Sequence, residues 1–102
     1  MLNLQEISKT KKLYEIRMWD GKELTLRLPS QKLLQSLAGL QKDIDDPLQV
    51  MDTLYQLLTD ILNLNTQGIK YTVEEIADEL DLATAVLVIQ DYMTNTTKIL
   101  GE

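Results

Sequence analysis

The sequence predicts an α+β fold that is mainly α, with an N-terminal β-hairpin followed by about four helices. Apolar and polar residues alternate on both sides of Asp20-Gly21, a pattern typical of a hairpin turn. Further along the chain, leucines recur at helical spacing between capping residues and helix breakers. The 102 residues are 44% hydrophobic but include no Phe, and a Leu-rich core without Phe favours packed helices over a β-sandwich.

The length of the chain predicts one domain, over residues 12–102. Residues 1–11 are expected to form a weakly ordered leader, because chain ends fray unless they dock. We see no signal peptide and no apolar stretch of the roughly 20 residues that span a bilayer. Together with the absence of Cys, these features favour a protein of a reducing cytoplasm.

The hairpin is predicted over residues 12–28. An odd-length loop with Gly21 in the left-handed conformation puts both apolar rows on one face, because strand side chains alternate with period two. A three-residue loop that ends at Gly21 pairs Ile16 with Leu24, and one shifted a residue further pairs Ile16 with Leu26. The sequence leaves both registers open.

Two Leu-rich helices are predicted next, over residues 30–43 and 47–64. Ser30 is a suitable N-cap for the first helix. Asp46 is expected to cap the second, with Pro47 at its first position. The apolar stripe of the second helix consists of Leu48, Met51, Leu54, Tyr55, Leu58, Ile61 and Leu62, and is widened by Leu57 and Leu64. A stripe this wide predicts packing on more than one side.

A short helix over residues 73–80 and a long one over 82–100 complete the prediction. Thr72 and Glu75 form a capping box for the short helix, and Asp81 is the expected cap of the long one. One face of the long helix carries Leu82, Ala85, Val86, Ile89, Tyr92, Met93 and Leu100, while Leu87 and Val88 lie on the other. A helix so widely apolar is either deeply buried or shared with a partner.

The composition argues against an enzyme. The chain has neither His nor Cys, which removes imidazole catalysis, thiolate nucleophiles and the usual zinc sites. Asp43, Asp45 and Asp46 cluster before Pro47, but the favoured interpretation is helix capping and not cation binding. We therefore predict no catalytic, cofactor-binding or metal-binding residues.

Charge is unevenly distributed along the chain, whose net charge is −6. Residues 1–34 hold seven basic and four acidic side chains, whereas residues 35–102 hold three basic and twelve acidic ones. The acidic part should repel nucleic acid and anionic membranes. We therefore expect neither to be a partner.

A helix-turn-helix is the main alternative interpretation, because residues 73–93 match its pattern superficially. The second helix of such a motif should offer Arg, Lys, Asn or Gln to base edges. Between Leu82 and Met93 the chain offers only Gln90, in acidic surroundings. A small DNA-binding regulator is thus kept as an alternative.

The order of features resembles a known family. A hairpin, YEIRMWDGKELTLRLPS, leads into Leu-rich helices including DTLYQLLTDILNLN, and then into QGIKYTVEEIADELDLATAVLVIQDYM. This resembles the short tail assembly chaperones of long-tailed (siphovirus-type) bacteriophages and prophages. The resemblance covers about residues 12–100, and residues 65–76 are its most distinctive part.

The resemblance implies a non-structural protein in the cytoplasm of a bacterial host. Such chaperones are thought to bind and solubilise the tape measure protein, to help recruit tail tube subunits, and to be absent from the finished virion. Many also exist in a longer, frameshifted form. A minor structural protein of the phage tail is a further alternative.

The expected partner-binding residues lie on the hairpin and the last helix. Arg17 and Trp19 are candidates because a hairpin tip is seldom deeply buried and Trp is enriched in binding hot spots. Leu87, Val88 and Tyr92 are candidates on the last helix. The same surfaces are expected to support self-association through head-to-tail contacts.

Overall fold

A computed structural model describes residues 14–43 and 45–100 of the chain. The expected leader, residues 1–11, lies outside the described residues. The predicted fold class is confirmed: an antiparallel two-stranded hairpin is followed by four helices. The elements are β1 (Tyr14–Arg17), β2 (Glu23–Leu26), α1 (Gln31–Asp43), α2 (Met51–Leu62), α3 (Val73–Glu79) and α4 (Leu82–Leu100).

The hairpin has the odd-length loop, in the first of the two registers. Ile16 lies opposite Leu24. The Met18 N–H donates to the Lys22 carbonyl at 2.7 Å, which closes a three-residue loop that ends at Gly21. Gly21 adopts a φ of +88°, a value that side chains disfavour. The apolar side chains of both strands consequently share the inner face of the hairpin.

The second edge of β2 is also occupied. The Arg27 N–H donates to the Leu64 carbonyl at 3.0 Å, and the Thr66 N–H donates to the Thr25 carbonyl at 2.9 Å. Leu26 and Asn65 form an isolated antiparallel bridge. The turn after α2 is therefore tied to the hairpin, a long-range pairing that local sequence patterns do not reveal.

Three of the four helix starts follow their predicted caps. Ser30 Oγ accepts from the Leu33 N–H at 3.2 Å at the start of α1. Thr72 Oγ1 accepts from the Glu75 N–H, also at 3.2 Å, at the start of α3. Asp81 Oδ1 accepts from the Thr84 N–H at 2.7 Å at the start of α4. The predicted ranges 30–43, 73–80 and 82–100 agree with these helices to within a residue.

The predicted start of α2 is wrong. The helix begins at Met51, and its N-cap is Val50, without a side-chain cap. The Gln49 N–H donates to the Asp46 carbonyl at 3.1 Å, so the residues after Asp46 form a separate turn. Val50 packs against the core with a φ of −112°, outside the helical range, and this separates the turn from α2.

A single hydrophobic cluster joins the hairpin and all four helices. Its fully buried large side chains are Leu24, Leu26, Leu37, Leu54, Leu58, Ile61, Leu62, Ile76, Ile89 and Tyr92. Helix α2 packs against α1, α3 and α4, as its wide stripe predicted. Leu57, on the second face of α2, is 7% exposed and belongs to this core, so this face of the helix also packs inside the molecule.

Candidate partner-binding surface

The two hairpin candidates lie at the surface. Arg17 is exposed, and its Nη2 donates to Glu23 Oε1 at 2.7 Å across the strands. Trp19 is 41% exposed, and its ring meets the Tyr71 ring edge-on with 5.9 Å between centroids. Trp19 thus covers part of Tyr71 while keeping one face open to solvent.

Tyr71 lies beneath Trp19, and the Asn63 side chain holds the Tyr71 backbone by two hydrogen bonds. Asn63 Oδ1 accepts from the Tyr71 N–H at 2.7 Å, and Asn63 Nδ2 donates to the Tyr71 carbonyl at 3.1 Å. Burial raises the pKa of Tyr71, and the negative charges of Asp20 and Glu75 raise it further. The Tyr71 hydroxyl is buried and has no hydrogen-bond partner among the described residues.

The three candidates on α4 have different environments. Leu87 is 65% exposed and lies on the solvent side of the helix. Val88 is half-buried and packs against the core. Tyr92 is 1% exposed, and its hydroxyl donates to the Arg27 carbonyl at 2.9 Å. Tyr92 is therefore a core residue, and the prediction that it contacts a partner is wrong. The physical reason is that α4 turns this side chain toward the end of β2.

Two exposed apolar residues near the start of α2 were missed by the sequence reasoning. Leu48 is 73% exposed and Met51 is 40% exposed. Both were assigned to the buried stripe, because helical periodicity was extended back to Pro47. The available signal was Pro47 itself, which follows two acidic residues and starts a turn as readily as a helix.

Two open grooves flank the exposed side of α2. The groove between α1 and α2 has a volume of about 550 Å³ and that between α2 and α3 about 560 Å³. Asp52 and Gln56 line both grooves and form the ridge between them. The apolar lining of the first consists of Gly39, Leu40, Val50 and Leu57, and that of the second of Met51, Tyr55, Val73 and Ala77.

The groove between α2 and α3 is held at one end by Tyr55. The Tyr55 hydroxyl donates to the Leu80 carbonyl at 2.7 Å, which links α2 to the residue that follows α3. Burial raises the pKa of Tyr55, and the nearby charge of Asp81 adds to this effect. The hydrogen bonds that Asp81 accepts from Thr84 lower the pKa of Asp81 by favouring its charged form.

The electrostatic character of this side of the molecule is strongly acidic. Residues 51–62 and 73–81 carry seven carboxylates and no Lys or Arg: Asp52, Asp60, Glu74, Glu75, Asp78, Glu79 and Asp81. Residues 82–96 of α4 also lack Lys and Arg, and Lys98 follows near the end of the helix. With no cation between Leu82 and Thr96, this stretch of α4 cannot make the phosphate contacts that dominate DNA affinity.

The connector between α2 and α3 is fixed by a buried asparagine. Asn65 Nδ2 donates to the carbonyls of Leu62 and Ile69 at 2.8 and 2.7 Å, and its Oδ1 accepts from the Ile69 N–H at 2.9 Å. Gly68, with a φ of +76°, lies within the loop that this side chain closes. The most distinctive segment of the sequence thus has a structural role.

Within residues 14–43 and 45–100, no group of three or more acidic side chains is arranged to hold a metal ion. No helix in the described part of the chain is both long and apolar enough to cross a membrane. Compared with known protein families, curated proteins and solved structures, the chain has no match. The resemblance to tail assembly chaperones therefore rests on the pattern of the sequence.

Proposed function

We propose that this chain is a phage tail assembly chaperone that binds and solubilises the tape measure protein and helps recruit tail tube subunits. It acts in the cytoplasm of the bacterial host. The proposal rests on the family resemblance of residues 12–100 and on one structural observation. Met51, which lines one of two open grooves along α2, and nearby Leu48 remain exposed, whereas most of the apolar stripe of α2 is buried.

Exposed apolar surface is what a chaperone for long helices requires. A tape measure protein presents apolar stripes at helical spacing, and such stripes bind in grooves between helices. Met51 and the two grooves provide a candidate surface on α2, and Leu48 lies in the turn just before that helix. Trp19 and Leu87 provide further apolar contacts. Trp is enriched among the residues that dominate the binding energy of an interface, and burial of exposed aliphatic side chains adds a hydrophobic contribution.

Self-association belongs to the same proposal. A chaperone that coats an elongated partner benefits from contacts between its own copies, and head-to-tail contacts need not close into a ring. Trp19 and Arg17 on the hairpin tip, and Leu87 on α4, are the residues that we assign to such contacts.

The test is co-expression with the tape measure protein encoded in the same tail gene cluster, followed by a solubility assay and pull-down. We expect the tape measure protein to become soluble and to co-purify. Leu48→Ser combined with Met51→Ser should reduce co-purification, because both changes remove exposed apolar surface. Leu87→Ser, which shortens an equally exposed leucine on α4, reports whether that helix also takes part.

A tape measure protein that stays insoluble and unbound beside a well-folded chain would exclude the proposal. Salt-sensitive retention of the chain on duplex DNA would instead favour the helix-turn-helix alternative. Detection of the chain in purified virions would favour a structural protein of the tail.

A further inference from the structure

We infer that the groove between α2 and α3 is a docking site for a basic amphipathic helix, with an apolar stripe flanked by Lys or Arg on both sides. The inference rests on the proposed function in one respect, since it specifies the chemistry of the segment that the chaperone binds. Three features of the groove lead to it: its apolar floor, its fixed walls and the charge of its rim.

The floor is apolar and open. Met51, Tyr55, Val73 and Ala77 line it, and Met51 keeps 40% of its surface exposed. The groove volume of about 560 Å³ accommodates several aliphatic side chains. Helices that bind in grooves present such side chains at positions i, i+3 or i+4, and i+7.

The walls are fixed before any partner arrives. The Tyr55 hydroxyl joins α2 to the Leu80 carbonyl at 2.7 Å. Ile76, on the inner side of α3, is fully buried, and Thr72 caps the start of that helix. A preformed groove loses little conformational entropy on binding, which favours affinity.

The rim carries only negative charge. Asp52 lines the α2 wall and Glu74 the α3 wall, with Asp78 and Glu79 further along α3. Both ion pairs of the described residues lie in the hairpin, between Arg17 and Glu23 and between Lys22 and Asp20. Among the described residues, therefore, no Lys or Arg is paired with the carboxylates of the rim, and cations of a partner would complement them.

The charge selects the occupant. A second copy of this chain offers no cation from α2, α3 or residues 82–96 of α4, so like charges oppose docking of those helices in this groove. Helix α1 carries Lys32 and Lys42, but its apolar side chains Leu37 and Leu40 are buried in the core of the copy itself. Nucleic acids and anionic membranes are repelled by the negative charge of the rim. A helix with cations on both sides of an apolar stripe can pack that stripe on the apolar floor and place its cations near the carboxylates of both walls.

The inference is tested with three synthetic peptides, each about five helical turns long. The first has a Leu stripe flanked by Lys, the second has Glu in place of Lys, and the third is a scrambled form of the first. Calorimetric titration against the full chain should show binding of the first peptide only, weakening as salt is raised. Equal binding of the scrambled or the Glu peptide would overturn the inference.

Variants of the chain locate the site. Asp52→Asn with Glu74→Gln should weaken binding of the Lys peptide about fivefold at low salt, because exposed ion pairs each contribute modestly. Glu15→Gln with Asp45→Asn, at two exposed carboxylates outside the groove, changes the net charge equally and should leave the affinity within about twofold. If both double variants bind like the wild type, the peptide does not occupy this groove.

Two alanine-to-leucine variants test the floor of the groove independently of charge. Ala77 is exposed in the groove and Ala83 is exposed on α4, so leucine at either site fits without repacking the core. Ala77→Leu should weaken binding, whereas Ala83→Leu should not. Equal affinities of the two variants, with helical content unchanged, would contradict docking on this floor.

The same variants separate this inference from the proposed function. If the Lys peptide binds in the groove while the tape measure protein does not co-purify, the docking site stands and the chaperone proposal fails. If the tape measure protein co-purifies equally with the wild type and with the groove variants, the chaperone proposal stands and the docking site is wrong.

Discussion

The hydroxyls of Tyr71 and Tyr92 are both buried, but they differ in hydrogen bonding. The Tyr92 hydroxyl donates to the Arg27 carbonyl at 2.9 Å, whereas the Tyr71 hydroxyl has no partner in the described part of the chain. A buried polar group without a hydrogen bond destabilises the folded state, while a satisfied one contributes modestly to stability. Substitution by Phe should therefore have opposite effects on the free energy of unfolding at the two positions.

Tyr71→Phe should raise the free energy of unfolding by about 1 kcal/mol, because it removes an unsatisfied hydroxyl. Tyr92→Phe should lower it by about 1 kcal/mol, because the Arg27 carbonyl loses its donor. Urea denaturation measures both values. A destabilised Tyr71→Phe variant would mean that this hydroxyl is satisfied in solution.

Leu87 and Val88 are neighbours in sequence but differ in burial. Leu87→Asp should change the free energy of unfolding by less than about 1 kcal/mol, because the side chain is 65% exposed. Val88→Asp should destabilise by about 2 kcal/mol, because Val88 packs against the core and a buried carboxylate is unfavourable. Similar urea midpoints for the two variants would contradict this orientation of α4.

At the scale of elements, substitution of one glycine in the hairpin and one in α1 tests the backbone conformation of each. A Cβ added at Gly21 or at Gly39 would meet no atom within 4 Å, so any effect of alanine comes from the backbone. Gly21 has a φ of +88°, whereas Gly39 lies inside a helix. The two positions form a matched pair in which sterics are constant.

Gly21→Ala should destabilise the fold by about 1 kcal/mol, because alanine disfavours the left-handed conformation. Gly39→Ala should stabilise it by about 1 kcal/mol, because alanine has the higher helix propensity. Thermal unfolding of the two variants gives the signs. A neutral Gly21→Ala result would be inconsistent with the three-residue loop.

The elements that the sequence predicted well are those set by local chemistry. Ser30, Thr72 and Asp81 accept hydrogen bonds from the first turn of the helix that follows, so the start of each helix is visible in a few residues. Alternation and Gly21 likewise predicted the odd-length loop of the hairpin, but they left two registers open, of which the structure has Ile16 opposite Leu24. Such features need no knowledge of distant partners.

The elements that the sequence predicted poorly depend on distant contacts. The start of α2 moved to Met51 because Val50 turns toward the core, and this left Leu48 exposed. Tyr92 was misplaced because its partner, the Arg27 carbonyl, is 65 residues away. The groove between α2 and α3 likewise exists only once α3 has packed on α2.

At the scale of the whole molecule, all four tyrosines have raised pKa values. Burial is the first cause in each case, and the pKa of Tyr92 rises to about 12. An unfolded tyrosine ionises near pH 10. Neutral tyrosines therefore stabilise the fold fully below about pH 10, and this contribution is lost as the pH rises toward about 12.

In an alkaline titration, ionisation of the tyrosines and unfolding should occur together as one cooperative event. We expect the ultraviolet absorbance of tyrosinate to rise steeply above pH 10, together with loss of the helical circular dichroism signal. Tyr92→Phe removes the tyrosine that is most deeply buried and should reduce the alkaline sensitivity. Ionisation of all four tyrosines near pH 10 with the helical signal intact would contradict their burial.

The proposed chaperone role also belongs to the scale of the whole molecule, because it predicts at which stage of tail assembly the chain is present. Mass spectrometry of purified tail intermediates and of finished particles tests it most directly. The proposal predicts the chain with the tape measure protein in the intermediates and none in the finished particles. The chain in finished particles, or in neither sample, would contradict an assembly chaperone.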